Sequence, residues 1–461
     1  MKNQTERGIL RLLTWVIRIL TGLTFIVSGF VKGIDPYGTF YKLEEYMGAM
    51  SLPVFPNLLL VGAFVLFAYE FIVGVFLLLG CFRKSSPILA LLFMALMLPL
   101  TLWIAVWNPV EDCGCFGDAI KLGNWATFWK NIVLTAAIIW LLKFNSRCKC
   151  LIRPSLQWLA LLGSAVYIAT IGLFGYLYQP LIDFRPYRAG EPIMDFSQNI
   201  DEDSSEEETL RFIYAKDGVE KSFSIDDELP DEESGWVFVR REEEPATSTA
   251  DSATSIHPEE SQADYALKEK NFRVWNEDGE EDVTEEVLHD TGRQMLLLIP
   301  DMSGASIAGT WQINSLYSWA EENDIDFIAI VNGSEARIAD WKDLSLAAYP
   351  IYTSDDTEIK MIARGNPAIV YLENGIVKWK SSLRALSTKD FQASGASSDP
   401  MAYARHDKLI LYNITGFYLL LILLLIGASI IPVKDMFRPH WRTQLKLRKR
   451  ISHGDKEDHE G

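Results

Sequence analysis

Apolar residues gather into long blocks near the two ends of the chain, and polar residues dominate the stretch between them. A helix that spans hydrocarbon needs about 20 mostly apolar residues. Six stretches qualify: about 10–31, 57–80, 86–107, 126–143, 156–178 and 409–432. The fourth is the shortest, and Trp125 and Trp129 at its start supply interfacial anchors. Pro99 predicts a kink in the third. The first stretch follows Lys2, Arg7 and Arg11, as a signal peptide would, but no small-x-small cleavage site follows it. It reads as an uncleaved first span. The predicted fold class is an α-helical integral membrane bundle plus an α/β soluble domain.

Segment 179–408 is soluble in pattern. Prolines in QPLIDFRPYRAG suit an extended exit from the membrane. Residues 183–269 read as an acidic, β-rich region. It holds an acidic patch at 201–208 and, at 241–264, a flexible linker without hydrophobic periodicity. Segments 210–242 and 271–301 each read as a strand, a D-G turn and a second strand. They are either an internal repeat or two unrelated hairpins. From 294 onward strand and helix patterns alternate, and a hairpin turns at Asn374–Gly375. The order β-α-β-α-β-β over 270–395 suggests an α/β sandwich. Residues 1–150 then form a four-helix membrane domain and 151–182 carry the fifth span. Residues 396–461 carry the sixth span and a basic tail.

Charge gives the orientation. The loops 81–85 and 144–155 and both termini are basic, while 32–56 and 108–125 are mixed or acidic. By the positive-inside rule both termini are cytoplasmic, and 179–408 lies outside, in the periplasm of a bacterial inner-membrane protein. The formal net charge of −18 has two sources. Segment 179–408 holds 48 Asp+Glu against 21 Lys+Arg, and the rest of the chain holds 13 against 22. That acidity excludes general nucleic-acid binding. It directs the outer segment toward neutral or basic partner surfaces. Five cysteines exclude a disulfide-rich scaffold.

The candidate chemistry centres on Cys113 and Cys115, in EDCGCFGD on the outer, oxidising side. Gly114 permits the tight backbone such a pair needs, and a strained, exposed disulfide is an oxidising one. The readings that stand are a redox pair, a static loop staple or inert pair of thiols, and a metal site, the last opposed because two thiolates alone rarely close one. Glu111, Asp112 and Asp118 are expected to raise the thiol pKa values. Glu70 lies mid-span, where a carboxylate needs a partner or a cavity. It is a proton or quinone-headgroup site or an interhelical bond, and Arg18 is a candidate partner for it. Lys32 and Asp35 sit at the outer end of the first span, nearer the cysteines. Lys130 and Asn131 open the fourth span as ligand contacts or interfacial anchors. Cys148 and Cys150, flanked by Arg147 and Lys149, read with Cys81 as reduced cytoplasmic thiols. The six His residues are dispersed and show no metal-ligand spacing.

Two resemblances add to these readings. GLTFIVSGFVKGIDP, YEFIVGVFLLLG, LPLTLWIAVWNPVEDCGCFGD and NWATFWKN resemble the DoxX superfamily, within it the MauE-like branch, over about 10–145. That resemblance implies a role in methylamine utilisation or periplasmic disulfide formation, with a quinone as the implied cofactor. Residues 270–390 resemble the thioredoxin-like fold, with Asn366–Pro367 where that fold has its cis-proline. The Cys-x-x-Cys that should follow the first core strand is replaced by PDMSGAS, so that domain is expected to bind rather than to react. The leading expectation is electron exchange between a periplasmic thiol partner and a membrane quinone through Cys113 and Cys115. A membrane scaffold that presents the outer domain, and a subunit of a quinone-linked oxidase, are the alternatives.

Overall fold

The computed structural model describes residues 2–110, 112–194, 210–216, 219–224, 237–243, 272–305, 309–387, 391 and 399–430. Among them six helices are long and apolar enough to cross a membrane. Five occur in the first part of the chain: α1 (Lys2–Ile34), α3 (Pro56–Leu79), α4 (Ser85–Trp107), α5 (Asn124–Phe144) and α6 (Gln157–Leu177). Between α1 and α3 lies α2 (Pro36–Ala49). The chain is a multi-pass membrane protein.

Segment 32–56, expected as a loop, therefore contains a helix. Its start was present in the sequence as Asp-Pro: Asp35 caps the helix through the Gly38 amide at 2.9 Å, and Pro36 fills its first turn. Its acidic and basic residues masked the helical period. Helix α3 ends where Gly80 turns left-handed, at a φ of 69°.

Glycine sets the spacing of α1 against α3. A Cβ on Gly29 would stand 2.5 Å from the Phe71 amide nitrogen and 2.7 Å from the Phe67 carbonyl oxygen. One on Gly22 would meet the Leu78 amide at 2.9 Å, and one on Gly74 the Ile26 amide at 2.6 Å. The two backbones touch along this crossing, as small residues allow inside a membrane.

Residues 192–272 form a separate compact unit. It contains β1 (Leu210–Lys216), β2 (Val219–Ser224) and β3 (Val237–Glu243), an antiparallel sheet in the order β2-β1-β3. Strand β3 takes the first three residues of the expected linker; the rest of that linker and the 201–208 patch lie outside the described residues. In the segment compared with this one, Trp275 bridges Asp282 and a short helix, Thr284–Val287, follows. The second segment thus has a short helix after its turn where a strand was expected, and each segment goes on to a further strand, Val237–Glu243 and Arg293–Ile299.

A five-stranded α/β layer follows: β4 (Arg293–Ile299), α7 (Thr310–Glu322), β5 (Asp326–Val331), α8 (Glu335–Ser345), β6 (Ile351–Thr353), α9 (Asp356–Ile362), β7 (Ala368–Glu373) and β8 (Ile376–Ser382). The strand order is β6-β5-β4-β7-β8, parallel on the β5 side of β4 and antiparallel on the β7 side. Strands β4, β5 and β7 are almost wholly buried, which explains their continuous apolar runs. Asn374 and Gly375 both have positive φ, as a two-residue hairpin turn requires. The Asn366–Pro367 peptide is cis.

The last helix, α10 (Asp407–Ile430), returns to the bundle. Tyr418 stacks on Tyr167 with ring centroids 4.3 Å apart, and its hydroxyl bonds Ser164 at 2.9 Å. The basic tail, with His440, His453 and His459, lies outside the described residues.

Candidate functional site

The loop between α4 and α5 places Cys113 and Cys115 with their sulfurs 3.1 Å apart, as free thiols. Gly114 between them has a φ of 58°, and its Cα side packs on the Lys42 stem. A side chain there would be strained twice, by the left-handed backbone and by Lys42 Cγ at 3.0 Å. Tyr46 of α2 donates its hydroxyl to the Cys113 carbonyl at 2.5 Å. Lys42 pairs with Asp112 at 2.6 Å. Helix α2 thus holds the loop at both ends of the first cysteine.

Beneath the loop lies a polar cluster formed by α1 and α3. Lys32 Nζ stands 2.6 Å from Glu70 Oε1 and 3.3 Å from Ser28 Oγ. Ser28 Oγ is 2.6 Å from Glu70 Oε2 and 2.6 Å from the Cys115 carbonyl oxygen. One hydroxyl proton faces two oxygens at equal, short distance. Lys32 and Glu70 are buried, 8% and 1% exposed, so each charge depends on the other. Ser28 and Lys32 are four residues apart on α1, one turn along the same face.

A third layer reaches in from the α/β region. Arg364 grips Asp35 through Nε and Nη2, at 2.9 and 2.7 Å from Oδ2, and Nη2 also lies 3.0 Å from Asp118 of the cysteine loop. Its Nη1 donates to the Lys360 carbonyl at 2.6 Å. Its backbone amide donates to Gln179 Oε1 at 3.0 Å. Burial pushes the Asp35 carboxyl up, but Arg364, with Arg185 and the Gly38 amide, more than offsets this and holds it below the usual carboxylate range.

The expected effect of the acidic residues is corrected. Asp112 and Asp118 are neutralised by Lys42 and Arg364, and Glu111 lies outside the described residues. The two thiols split instead. The hydrogen bond from Cys113 pulls Cys115 below the ordinary thiol range, against burial, and Lys130 and Lys32 add to the pull. The same bond, together with burial, pushes Cys113 up.

Of the other candidates, Asn131 is buried on α5 and donates to Thr101 at 3.2 Å, which ties α5 to α4. Lys130 lies over the Phe116 ring, 4.6 Å from its centroid. Arg18 is separated from the cluster. It lies 14 residues before Lys32 on α1, roughly 21 Å along the axis. There it stacks on Trp15 at 3.9 Å and donates to the Lys149 carbonyl at 3.2 Å. The Glu70–Arg18 pair is therefore replaced by Glu70–Lys32. Cys150 accepts from Arg83 Nε at 2.8 Å, and Cys81 and Cys148 are buried. Among the described residues no cluster of His, Cys, Asp and Glu could hold a metal ion.

Sequence reasoning missed Ser28, Tyr46 and Arg364. Only Ser28 had a signal, its one-turn spacing from Lys32. Arg364 is 246 residues from Asp118, and nothing local in the chain announces that contact.

The cluster opens on a cavity of about 700 Å³. Lys32, Asp35, Cys113 and Cys115 stand at its polar end, and Leu58, Val61, Val65 and Leu96 carry its apolar walls. These four apolar residues are 59–66% exposed, so the cavity opens on the flank of the bundle that faces lipid.

No curated protein and no solved structure matches the chain. Residues 209–246, which hold β1–β3, match a domain of unknown function (DUF8463). Residues 10–144 match the family described as methylamine utilisation protein MauE, and that stretch contains every residue of the thiol cluster except Arg364.

Proposed function

We propose that the protein is an inner-membrane thiol oxidoreductase that passes electrons from a periplasmic dithiol protein to a membrane quinone. The observation that carries this reading is the position of the two thiols: 3.1 Å apart, at the polar end of an apolar cavity that opens toward lipid. A cavity of 300–1,000 Å³ is the usual size for a small-molecule site. An apolar ring with carbonyl oxygens would suit this one, with Leu58 and Val65 among the residues that would hold the ring and Lys32 as the cation available to an oxygen.

The reaction runs in two halves. A partner dithiol attacks the Cys113–Cys115 disulfide through a mixed disulfide and leaves as a disulfide, with both cysteines reduced. The Cys113 and Cys115 thiols then close again, which shortens their separation by about 1 Å. Two electrons and two protons pass to the quinone, giving the quinol. Cys115, held as the more acidic thiol, is the nucleophile of this half. Ser28 and Glu70 tie the backbone of the cysteine loop to Lys32. Ser28 Oγ lies 2.6 Å from both Glu70 Oε2 and the Cys115 carbonyl, so its single proton can serve either acceptor.

Orientation by the charge of the short loops supports a periplasmic position for the cysteine loop. The strand order and Pro367 support a thioredoxin-like reading of the α/β region, in the role of a docking module, since no cysteine follows β4. The test is thiol trapping of the full-length protein in membranes whose quinone pool is first oxidised and then reduced. The pair is expected to follow the pool. A pair that stays in one redox state through both conditions overturns the reading.

A further inference from the structure

The cavity that ends at Lys32 and the two thiols is larger than a quinone ring fills. It holds about 700 Å³. At about 30 Å³ per non-hydrogen atom, the share of a water molecule in the liquid, a substituted ring of roughly 12 such atoms takes about half of that. The rest runs between apolar walls on three helices. Met47 and Met50 line it from α2, Leu58, Gly62 and Val65 from α3, and Met97 from α4. Met47 and Met50 are three residues apart, on one face of α2. Leu58, Gly62 and Val65 follow at spacings of four and three, one stripe of α3 that runs roughly 10 Å along the axis. Leu58 and Val65 are 66% and 62% exposed, so the stripe reaches the flank that faces lipid.

Gly62 breaks that stripe. Glycine is a poor helix former, so its place inside α3 calls for a reason. Gly74, further along the same helix, has one: a Cβ there would stand 2.6 Å from the Ile26 amide of α1. Gly62 makes no such approach. Among the described residues, a Cβ built on it meets nothing within 4 Å. Its missing side chain therefore leaves a notch in the cavity wall between Leu58 and Val65. The three methionines around this half are unbranched and adaptable, as walls for a branched, flexible chain need to be.

We propose, on the quinone reading given above, that Gly62 is the portal through which the isoprenoid chain of the quinone leaves the cavity. The ring then stays within reach of Lys32 and the thiols while the chain remains in the hydrocarbon. A membrane quinone enters and leaves sideways, without crossing water. Because lipid is as apolar as the cavity wall, the chain gains little from burial itself. Selection between quinones comes from shape, and a side chain placed in the notch competes with the chain for the same space.

The test is native mass spectrometry of the full-length protein offered equal amounts of dimethoxymethylbenzoquinone without a chain and the same ring with a short isoprenoid chain. The quantity read is the ratio of chain-bearing to chainless quinone retained. Gly62→Leu is expected to lower that ratio by about tenfold, the effect of forcing methylene groups into a filled space. Gly62→Ala, with one added carbon, is expected to lower it less. Met97→Trp fills the same half of the cavity from α4 and is expected to lower the ratio as well, whether or not Gly62→Leu folds. A ratio that Gly62→Leu and Met97→Trp both leave unchanged overturns the portal and leaves the thiol–quinone reading standing. A wild type that retains neither quinone overturns both. Bound phospholipid lost from the variants at an unchanged quinone ratio gives the groove to an acyl chain and overturns the portal.

Discussion

Arg364→Gln is the perturbation whose size the structure sets most directly. Arg364 is 4% exposed and pairs with Asp35, whose side chain is 15% exposed. Removing one partner of a buried ion pair costs about 3–5 kcal/mol, because the other charge is left without compensation. Asp35 keeps the Gly38 amide and some solvent, which brings the cost below that range, to about 2–3 kcal/mol. That energy falls on the junction, not on the whole chain. Amide hydrogen exchange around 35–39 and 362–366, measured on protein in nanodiscs, should quicken by roughly 30- to 150-fold. The sign with pH follows from Asp35. In the wild type its folded pKa is depressed, so its contribution is present above the unfolded carboxylate value and is lost as pH falls through the folded one. In the variant the pull of Arg364 is gone and only Arg185 and the Gly38 amide oppose burial, so the folded pKa rises from its wild-type position, and the deficit is largest near neutrality and shrinks as acid protonates Asp35. Adding Asp35→Asn removes the orphan charge and keeps the cap, since Asn caps as well as Asp. The double variant should therefore recover most of the protection. A deficit that is flat with pH, or a double variant no better than the single, refutes the argument.

Three other outcomes follow from the thiol cluster. Cys113→Ala removes the hydrogen bond that lowers Cys115, so alkylation of Cys115 at pH 7 should slow by roughly tenfold and its pH profile should move upward; an unmoved profile assigns the acidity to Lys130 and Lys32 instead. Gly114→Ala costs about 1–2 kcal/mol in the left-handed region, and closure of the pair by a soluble quinone, followed by thiol trapping, should slow by about tenfold; closure at the wild-type rate separates reactivity from this loop conformation. Lys32→Met leaves Glu70 without its cation and should lower the thermal stability of the solubilised bundle by about 3–5 kcal/mol. Lys32→Met with Glu70→Gln should restore the stability but not quinone reduction, and restored reduction removes the pair from the mechanism.

Much of the membrane architecture was legible because hydrocarbon imposes a length and a composition that the sequence displays directly. The α/β strands were legible for a related reason, since burial on both faces produces runs such as MLLLI. What escaped depended on partners distant in sequence. Glu70 announced that it needed a partner, and Arg18 was named as the candidate although its depth in the span differs from that of Glu70. Helix rise decides it, since only Lys32 lies at the depth of Glu70. The acidity of Cys115 was misjudged because charges were counted by proximity in sequence. Asp112 and Asp118 lie beside the cysteines in the chain, yet each is neutralised by a cation from elsewhere. Helix α2 was hidden because its charged residues, Lys42 among them, serve the cysteine loop.

The glycine crossing of α1 on α3 bears on how the bilayer acts on this protein. Membranes differ in thickness, and helices answer by tilting or by shifting against one another. Where long side chains separate two helices, such movements can be taken up by rotamers. Here Gly22, Gly29 and Gly74 leave backbone against backbone, with no compliant layer between. Ser28 and Lys32 ride on one helix and Glu70 on the other, so their spacing is set by main-chain contact. The spacing of Ser28, Lys32 and Glu70 is therefore expected to change little when lipid thins or thickens around the bundle.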